Sequence, residues 1–568
     1  MSQALSRSLA PRSIALIGPV VEISATIEAL RALGYAWQIW PVAEGGAAVA
    51  GVASVCSIAE LPGAPDLAHV ALRGEPLQAA LSALAERGAG GAVCPYLDAD
   101  ALAAMDAPLP VFAGGLLSPV ARLPFWPGGA AVAPARRGPA LLLTDPERLG
   151  RLLDLRRGVP LSYAVPLGRD ATAATGLLPL SAELLSDERV TALAVQADTL
   201  AAPADILDLG RVAQKHGKPV VFLSGQLGAG SAALLRRAGI SYVTRSAALI
   251  EALWILHLVG PLPANALAAI VSGPGLAERA ETLATAQGLR LAPLGKLQQE
   301  ALARELPSAR SPDNPLDVSG LAEASAGWLA RIFAEMMIGE AVLTLAVIRN
   351  AGEAGWARAA EAAARARERV GMPLALLAPN RAEMTEARSL ALLEAGVIPL
   401  AGLKPALEAL RAAMDIGALV PGGGPLLMPR PGQGDMALTR GAAAAALLGL
   451  AVGGEGSQAP LQLRLSADPA FGYLVELSSA AGGLGSGLLP LSPRACRELA
   501  MHLGLGAEQA GALAGVLRAV QDHVAAAGGA VAGLEIALDL GDNGAACARS
   551  IELRAWTDAA QTRRRSPE

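Results

Sequence analysis

The sequence predicts an α/β protein built from several parallel sheets and closed by a smaller α+β segment with an antiparallel sheet. Three observations predict it. Most of the chain repeats one rhythm: a short apolar strand, a Gly- or Pro-marked turn, then a longer Ala/Leu/Arg helix. That alternation is the pattern of βαβ units. Three stretches interrupt it, "LPFWPGGAAVAPARRGP", "VGPLPANA" and "PGGGPLLMPRPGQGD", and so divide it into sets. Beyond the last of them the strands change to two-residue alternation, which suits a sheet with one wet face.

Taken in order, SIALIG (13–18), WQIWPV (37–42), HVALRG (69–74), GAVCPY (91–96) and PVFAG (110–114) predict a first sheet, and 123–139 reads as a linker. ALLLT (140–144), YAVPLG (163–168), TALAVQA (191–197), PVVFLSG (219–225) and SYVTRS (241–246) predict a second. LAAIVSG (267–273), LRLAPLG (289–295), VLTLAVIR (342–349), LALLAP (374–379) and VIPLAG (397–402) predict a third. The run 421–435 has the composition of a flexible linker. After it, LQLRLSA, GYLVELSSA, LEIALDL and RSIELRA alternate around one long helix. The domains expected from these breaks are 1–130, 137–260, 263–418 and 436–568.

Composition narrows the function classes. A chain of 568 residues, 53% hydrophobic and 17% charged, is globular rather than disordered and has room for roughly three to five domains. Its longest apolar run, Gly441 to Gly454, falls short of the roughly 20 residues of a bilayer span, so no membrane span is expected. The start "MSQALSRSLAPRSIALIG" passes from polar residues straight into a strand, without the apolar stretch and cleavage site of a signal peptide. A soluble, cytoplasmic protein is the expectation. Cys56, Cys94, Cys496 and Cys547 form no CxxC pair and no metal-ligand spacing, and read as reduced structural thiols. A net charge of −5 offers no basic field to nucleic acid, and the arginines 563–565 read as a solvated tail.

Several segments carry a resemblance to a known family. "LAPRSIALIG" looks like an opening strand led in by Pro-Arg/Lys-Ser, and "GYAWQIWPV" stands where the family has a strand ending in Tyr-Pro-Val. "SIAELPGAPDLAHVAL" is similar to the segment that leads into its third strand. "SPDNPLDVSG" (311–320) holds the Asn-Pro-x-Asp that marks the family's third domain, and "DPAFGYLVEL" (468–477) followed by "PLS" (490–492) resembles the second half of its last domain. The family is the NDP-forming (ADP-forming) acyl-CoA synthetases, relatives of succinyl-CoA ligase, and the resemblance covers nearly the whole chain. It implies a Rossmann-like CoA-binding domain, two flavodoxin-like, succinyl-CoA-ligase-like domains, and a truncated ATP-grasp-like domain at the end.

A strand ending in Gly18 with a helix to follow places backbone N–H groups where a diphosphate such as that of CoA binds. On local sequence "GPVVEIS" is an ordinary strand-to-helix turn, with one glycine and no GxGxxG. The resemblance makes CoA or acyl-CoA the expected ligand, at Gly18, Pro19, Pro41, Val42, Gly114 and Gly115. Where the family reads Gly-Pro-Asn-Cys-x-Gly this chain reads "AGGLLS" (113–118), so the Asn and Cys side chains are lost.

The resemblance implies phosphoryl chemistry in the second domain, and there the chain departs three times. A Ser-Gln-Ser-Gly turn that would hold phosphate is "TDPERLG" (144–150), whose Asp and Glu repel an anion. A Gly-Asn-x-Ala is "GRDA", with Arg169 in the Asn slot, either a surface cation or an anion ligand. The Ser-His-Thr-Gly loop that carries the phosphoryl group is "SGQLGAGS" (224–231), with no histidine. None of the five histidines is placed to replace it. His216 precedes a strand at a Gly-Lys-Pro turn, His257 sits on a helix, His69 begins a strand, and His502 and His523 fall on C-terminal helices. A carrier needs a mobile loop, so no catalytic residue is assigned.

The last segment departs as well. The family's first ATP-grasp lobe needs more chain than lies between Pro421 and Pro460, so the resemblance implies that it is missing or shrunk. Its metal-binding "E-x-D-x-N-P" strand is "EIALDL" here, with Glu535 kept, Ala537 for the Asp and Asp539 for the Asn. Glu535 and Asp539, i and i+4 on a strand, point the same way and suit Mg²⁺, or are a plain charged strand edge. "GGLGSG" (482–487) reads as a loop rather than a phosphate cradle, and the family's Arg three residues before Pro490 is Gly487. The leading expectation is a degenerate homologue that binds CoA or acyl-CoA without full ATP-dependent ligation, with Mg·ATP bound weakly at best. The alternatives are an active synthetase completed by an ATP-grasp partner subunit and an ATP-independent CoA or acyl transferase. A homo-oligomer is a further expected assembly.

Overall fold

Strands that are apolar on both faces have no side to show to water, so they fold as parallel sheets sandwiched between helices. The structure, a computed structural model, describes residues 2–126, 132–168, 175–307, 312–318, 325–349, 351–418, 424–432, 436–453, 461–480, 482–503, 505–541 and 544–557. Arg169, arginines 563–565 and parts of both linkers lie outside them. Among the described residues, β1 (Ser13–Ile17), β2 (Gln38–Val42), β3 (Leu67–Val70), β4 (Ala92–Cys94) and β5 (Val111–Ala113) form a parallel sheet in the order β2-β1-β3-β4-β5.

The second sheet comprises β6 (Leu116–Ser118), β7 (Leu123–Phe125), β8 (Gly138–Leu143), β9 (Tyr163–Pro166), β10 (Val190–Gln196), β11 (Val220–Leu223) and β12 (Ser241–Val243). Its order is β12-β11-β10-β8-β9-β6-β7, parallel from β8 to β12 and edged by the antiparallel hairpin β6–β7. The third holds β13 (Leu267–Val271), β14 (Leu316–Asp317), β15 (Leu343–Val347), β16 (Leu374–Ala378) and β17 (Ile398–Ala401), all parallel, in the order β14-β13-β15-β16-β17. These three sheets belong to one compact unit, residues 1–201, 208–225 and 240–419.

A second compact unit takes in 202–207, 226–239 and 420–568. Its sheet contains β18 (Met436–Arg440), β19 (Ala451–Val452), β20 (Leu461–Asp468), β21 (Gly472–Ser478), β22 (Leu484–Leu488), β23 (Val531–Leu540) and β24 (Ala546–Trp556). The order is β18-β24-β23-β20-β21-β22, antiparallel, with β19 beside β24. β20 alternates Leu461, Leu463 and Leu465 inward with Gln462 and Arg464 outward, as its two-residue period predicts. The helix Ala229–Arg237 belongs to this unit. Arg237 donates to the carbonyls of Leu488 (3.0 Å), Pro490 (2.6 Å) and Gly424 (2.7 Å), and Gly230 lies so close to the Phe471 ring that a Cβ would approach it to 3.1 Å.

Within the first unit, the second and third sheets are joined by the helices that follow their last strands. Ser246–Leu258 and Leu403–Ala418 pack together, and one apolar core runs through both sheets. Each helix buries one glutamate, and each glutamate reaches the other sheet. Glu251 accepts from the Ala401 N–H at the end of β17 (3.1 Å), and Glu408 accepts from the Thr244 N–H just past β12. Glu251 is completely buried and takes a two-pronged bond from Arg157 (2.9 and 2.8 Å) and another from Arg381 (3.2 Å). Glu408 binds the Thr244 hydroxyl (2.7 Å) and Arg245. Burial pushes the Glu251 carboxyl up to about 7, against the pull of Arg157 and Arg381.

Several elements differ from the sequence reading. LRLAPLG is no strand: only Leu291 bridges to Leu267, and the edge place beside β13 passes to β14. Asn314 fills the gap with its side chain, donating to the carbonyls of Leu267 (2.9 Å) and Ala292 (2.8 Å) and accepting from the Ala269 N–H (2.9 Å). Asp317 holds the Gly273 N–H (2.9 Å), so here the Asn-Pro-x-Asp builds a sheet edge. The GGLGSG run is a strand in part, β22, because Gly487 lets the chain approach Leu491, where a Cβ would come within 2.7 Å. The stretch 123–139 is a linker only in part, since β7 and the start of β8 lie in it. The polar start folds as the helix Ser2–Leu9, with Arg7 paired to Asp66 (2.7 Å). HVALRG ends as a strand at Val70. The single long helix of the tail is two, Pro493–His502 and Ala507–Ala526, with a short third at Gly441–Leu447.

Candidate functional site

In an open parallel sheet, a ligand crevice forms at the carboxyl edge where neighbouring strands send their connections to opposite faces. In the first sheet that point lies between β1 and β3. Gly18 stands there, at φ +149°, and a Cβ on it would meet the Ala71 Cβ at 2.8 Å and the Ala71 carbonyl at 3.1 Å. Any side chain would close the crevice floor. Pro19 caps the helix Val20–Leu33 without a side-chain acceptor; the Glu22 and Ile23 N–H groups bond the Pro19 carbonyl (3.0 Å each), which leaves those of Val20 and Val21, both exposed residues, without an acceptor among the described residues. Pro41 and Val42 end β2, in register with Leu16 and Ile17 of β1. The structure thus brings Gly18, Pro19, Pro41 and Val42 to one corner of the sheet.

Gly114 and Gly115 lie farther off, past β5, three strands from β1 along the same edge. Both have positive φ, +82° and +152°, and they turn the chain out of the first sheet into β6 of the second. The sequence reading missed Arg73 and Tyr96. Ending β3 at Val70 places Arg73 at the start of the helix Gly74–Glu86, on the far side of the crevice from Gly18. Its guanidinium stacks on the Tyr96 ring at 4.0 Å, and the Tyr96 hydroxyl donates to Glu22 (2.7 Å). A strand boundary four residues earlier was the signal needed.

The corresponding crevice of the second sheet lies between β8 and β10, and it is filled by the chain's own charges. Arg148 binds Asp145 (3.0 Å) and Asp198 (2.9 and 3.1 Å), while the Asp145 N–H donates to Gln196 (3.1 Å). Arg148 is thus paired within the acidic turn, while Glu147 beside it stays exposed. In the loop after β11, Ser224 is buried and Gln226 exposed, and no base is hydrogen-bonded to Ser224 Oγ.

The histidines stand elsewhere. His216 ends the helix Pro203–His216 and precedes β11, at the opposite end of that strand from the loop. His257 Nδ1 bonds the hydroxyl of Thr191 (3.0 Å), near the amino end of β10. His69 lies within β3 and stacks on Phe125 with ring centroids 5.0 Å apart. Burial holds His69 and His257 down to about 4, so both are neutral imidazoles near pH 7. His502 ends the helix Pro493–His502, and His523 lies in Ala507–Ala526.

In the second unit, Glu535 is exposed on β23 with Arg464 (3.8 Å) and Arg554 (4.0 Å) nearby, and Asp539 pairs with Arg549. Each carboxylate of the expected metal pair thus faces an arginine. Among the described residues, no group of three or more His, Cys, Asp or Glu is placed to hold a metal, and no helix is long and apolar enough to cross a membrane.

No family model and no curated protein matches this sequence. Solved structures do match its fold. The crystal structure of PH0766 from Pyrococcus horikoshii is similar over 72% of this chain and 98% of its own, with a TM-score of 0.61 at 17% identity. The dinucleotide-forming acetyl-coenzyme A synthetase 1 of Ca. Korarchaeum cryptofilum matches at 14% identity. Its apo form covers 73% of this chain and 98% of its own with a TM-score of 0.60, and its complex with phosphate and ADP covers 74% and 98% with 0.61. The resemblance to NDP-forming acyl-CoA synthetases drawn from the sequence therefore holds at the level of architecture: this chain shares the fold of a dinucleotide-forming acetyl-coenzyme A synthetase.

Proposed function

We propose that this chain is a homologue of the NDP-forming acyl-CoA synthetases that binds CoA or acyl-CoA in its first domain and does not carry out the full ATP-dependent ligation. It then serves in the cytoplasm as a regulatory or scaffold subunit. The observation that carries this reading is the contrast between the two crevices. The first is floored by Gly18 and flanked by the uncapped N–H groups of Val20 and Val21, which suits a diphosphate. The second is occupied by Arg148 and its two aspartates, and its loop has no imidazole. Gly18, Pro19, Pro41 and Val42 would line the nucleotide end of CoA, with Gly114 and Gly115 farther along the edge. For Mg²⁺ the residues fit poorly, because arginines already face Glu535 and Asp539.

CoA or a short acyl-CoA is expected to raise the melting temperature, since a ligand at 100 times its Kd adds about 2.7 kcal/mol. Gly18→Glu should abolish the shift by steric and charge conflict. An unmoved melting curve at millimolar CoA would reduce the role to scaffolding.

A second reading, an active synthetase completed by an ATP-grasp partner, is favoured by the neighbour solved with phosphate and ADP. Labelled ATP, or labelled phosphate with acyl-CoA, separates the two. The first reading expects no acid-labile, base-stable label on this chain, with or without a partner. Stoichiometric phosphohistidine at His216 or His257 would restore the active reading.

A further inference from the structure

We infer that Arg73 receives a phosphate of the bound CoA and that Tyr96 positions it, an assignment that rests on the CoA reading above. Arg73 is exposed at the β1/β3 crevice, and among the described residues it makes no ion pair. An arginine in that state is normally mobile and hydrated. Here its Cζ lies over the Tyr96 ring, 4.0 Å from the centroid, which restricts the positions open to its planar fork of N–H donors.

The nearby carboxylate is held by the same tyrosine. Glu22, in the first turn of Val20–Leu33, would neutralise an adjacent arginine and repel a phosphate. Its Oε2 instead accepts the Tyr96 hydroxyl at 2.7 Å. One side chain therefore carries the cation over its ring and holds one oxygen of the competing anion with its hydroxyl. What remains is a guanidinium with no ion pair among the described residues, at the same crevice as the Val20 and Val21 N–H groups after Pro19, a combination that suits phosphate oxygens through charge-assisted bonds.

Calorimetric titration of CoA and 3′-dephospho-CoA into the full-length protein and its variants tests this. Arg73→Ala is expected to weaken CoA about tenfold or more, and Arg73→Lys to recover only part of it, because an ammonium keeps the charge without the fork. Tyr96→Phe, which keeps the ring, should weaken CoA about threefold by releasing Glu22 toward Arg73, and Glu22→Gln added to it should restore the affinity. A merely structural tyrosine would not be rescued in this way. Loss of affinity for both ligands places Arg73 on the diphosphate, and loss for CoA alone places it on the 3′-phosphate. Wild-type binding of CoA with no change in Arg73→Ala overturns the assignment and leaves the CoA reading intact. No CoA binding by the wild type overturns both.

Discussion

Replacing Glu251 with alanine is expected to lower the stability of the first unit by about 3–5 kcal/mol, the cost of leaving a buried charge without its partner. Arg157, whose side chain is only 9% exposed, would keep its guanidinium in the interior with only the Pro399 carbonyl to bond, and the Ala401 N–H would lose its acceptor. Glu408→Ala should cost less, because its partner Arg245 is 56% exposed and water replaces the lost carboxylate. Unfolding midpoints of the two variants in urea measure the difference. Joint replacement of Glu251 and Arg157 by Leu and Met should recover part of the loss, since it removes the most deeply buried cation but still leaves Arg381 without its carboxylate and the Ala401 N–H without its acceptor. A loss under about 1 kcal/mol in Glu251→Ala would show that the pair is not held dry.

Acid should destabilise the same unit through its buried imidazoles. His69 and His257 titrate near 4 in the folded chain and at the ordinary 6.5 once unfolded. Between those values the unfolded chain binds more protons, so their contribution is complete above pH 6.5 and is lost as pH falls toward 4. The loss is at most about 3 kcal/mol for each. Glu251 acts in the opposite sense: raised to about 7, it binds a proton more tightly folded than unfolded, so its contribution grows as pH falls. A difference measurement separates them. His257→Gln, which can still bond Thr191, should flatten the pH dependence of stability between 6.5 and 4 by about 3 kcal/mol. Parallel curves for variant and wild type would mean that His257 is hydrated.

The parallel sheets were legible because their strands are short apolar runs between glycines and prolines, and period alone identifies them. The misread pieces are those where tertiary contact overrides local pattern. LRLAPLG has the apolar content of a strand, yet its place in the ladder goes to an asparagine side chain and two residues from a later segment. GGLGSG has the composition of a loop, yet it pairs with β21 because neighbouring leucines fill the space its missing side chains leave. The crevice was half legible. Gly18 announces itself, whereas Arg73 was hidden inside an apolar run that reads as a continuation of the strand. The two interface glutamates had a signal that period analysis does not seek. "IEAL" and "LEAL" each follow a terminal strand, with Glu251 and Glu408 the same seven positions past Thr244 and Ala401.

That symmetry bears on how such a chain can be encoded. Each of the two sheets lends the other a carboxylate and borrows one in return, so the interface is complete in its side chains and owes nothing to the exposed Pro263–Ala264 that links them. The peptide there contributes connectivity and no cohesion. A break at that point leaves both carboxylates, their arginines and the shared apolar core in place. The same assembly is then open to two gene products instead of one, or to a chain with its modules in another order, without a single contact having to be redesigned.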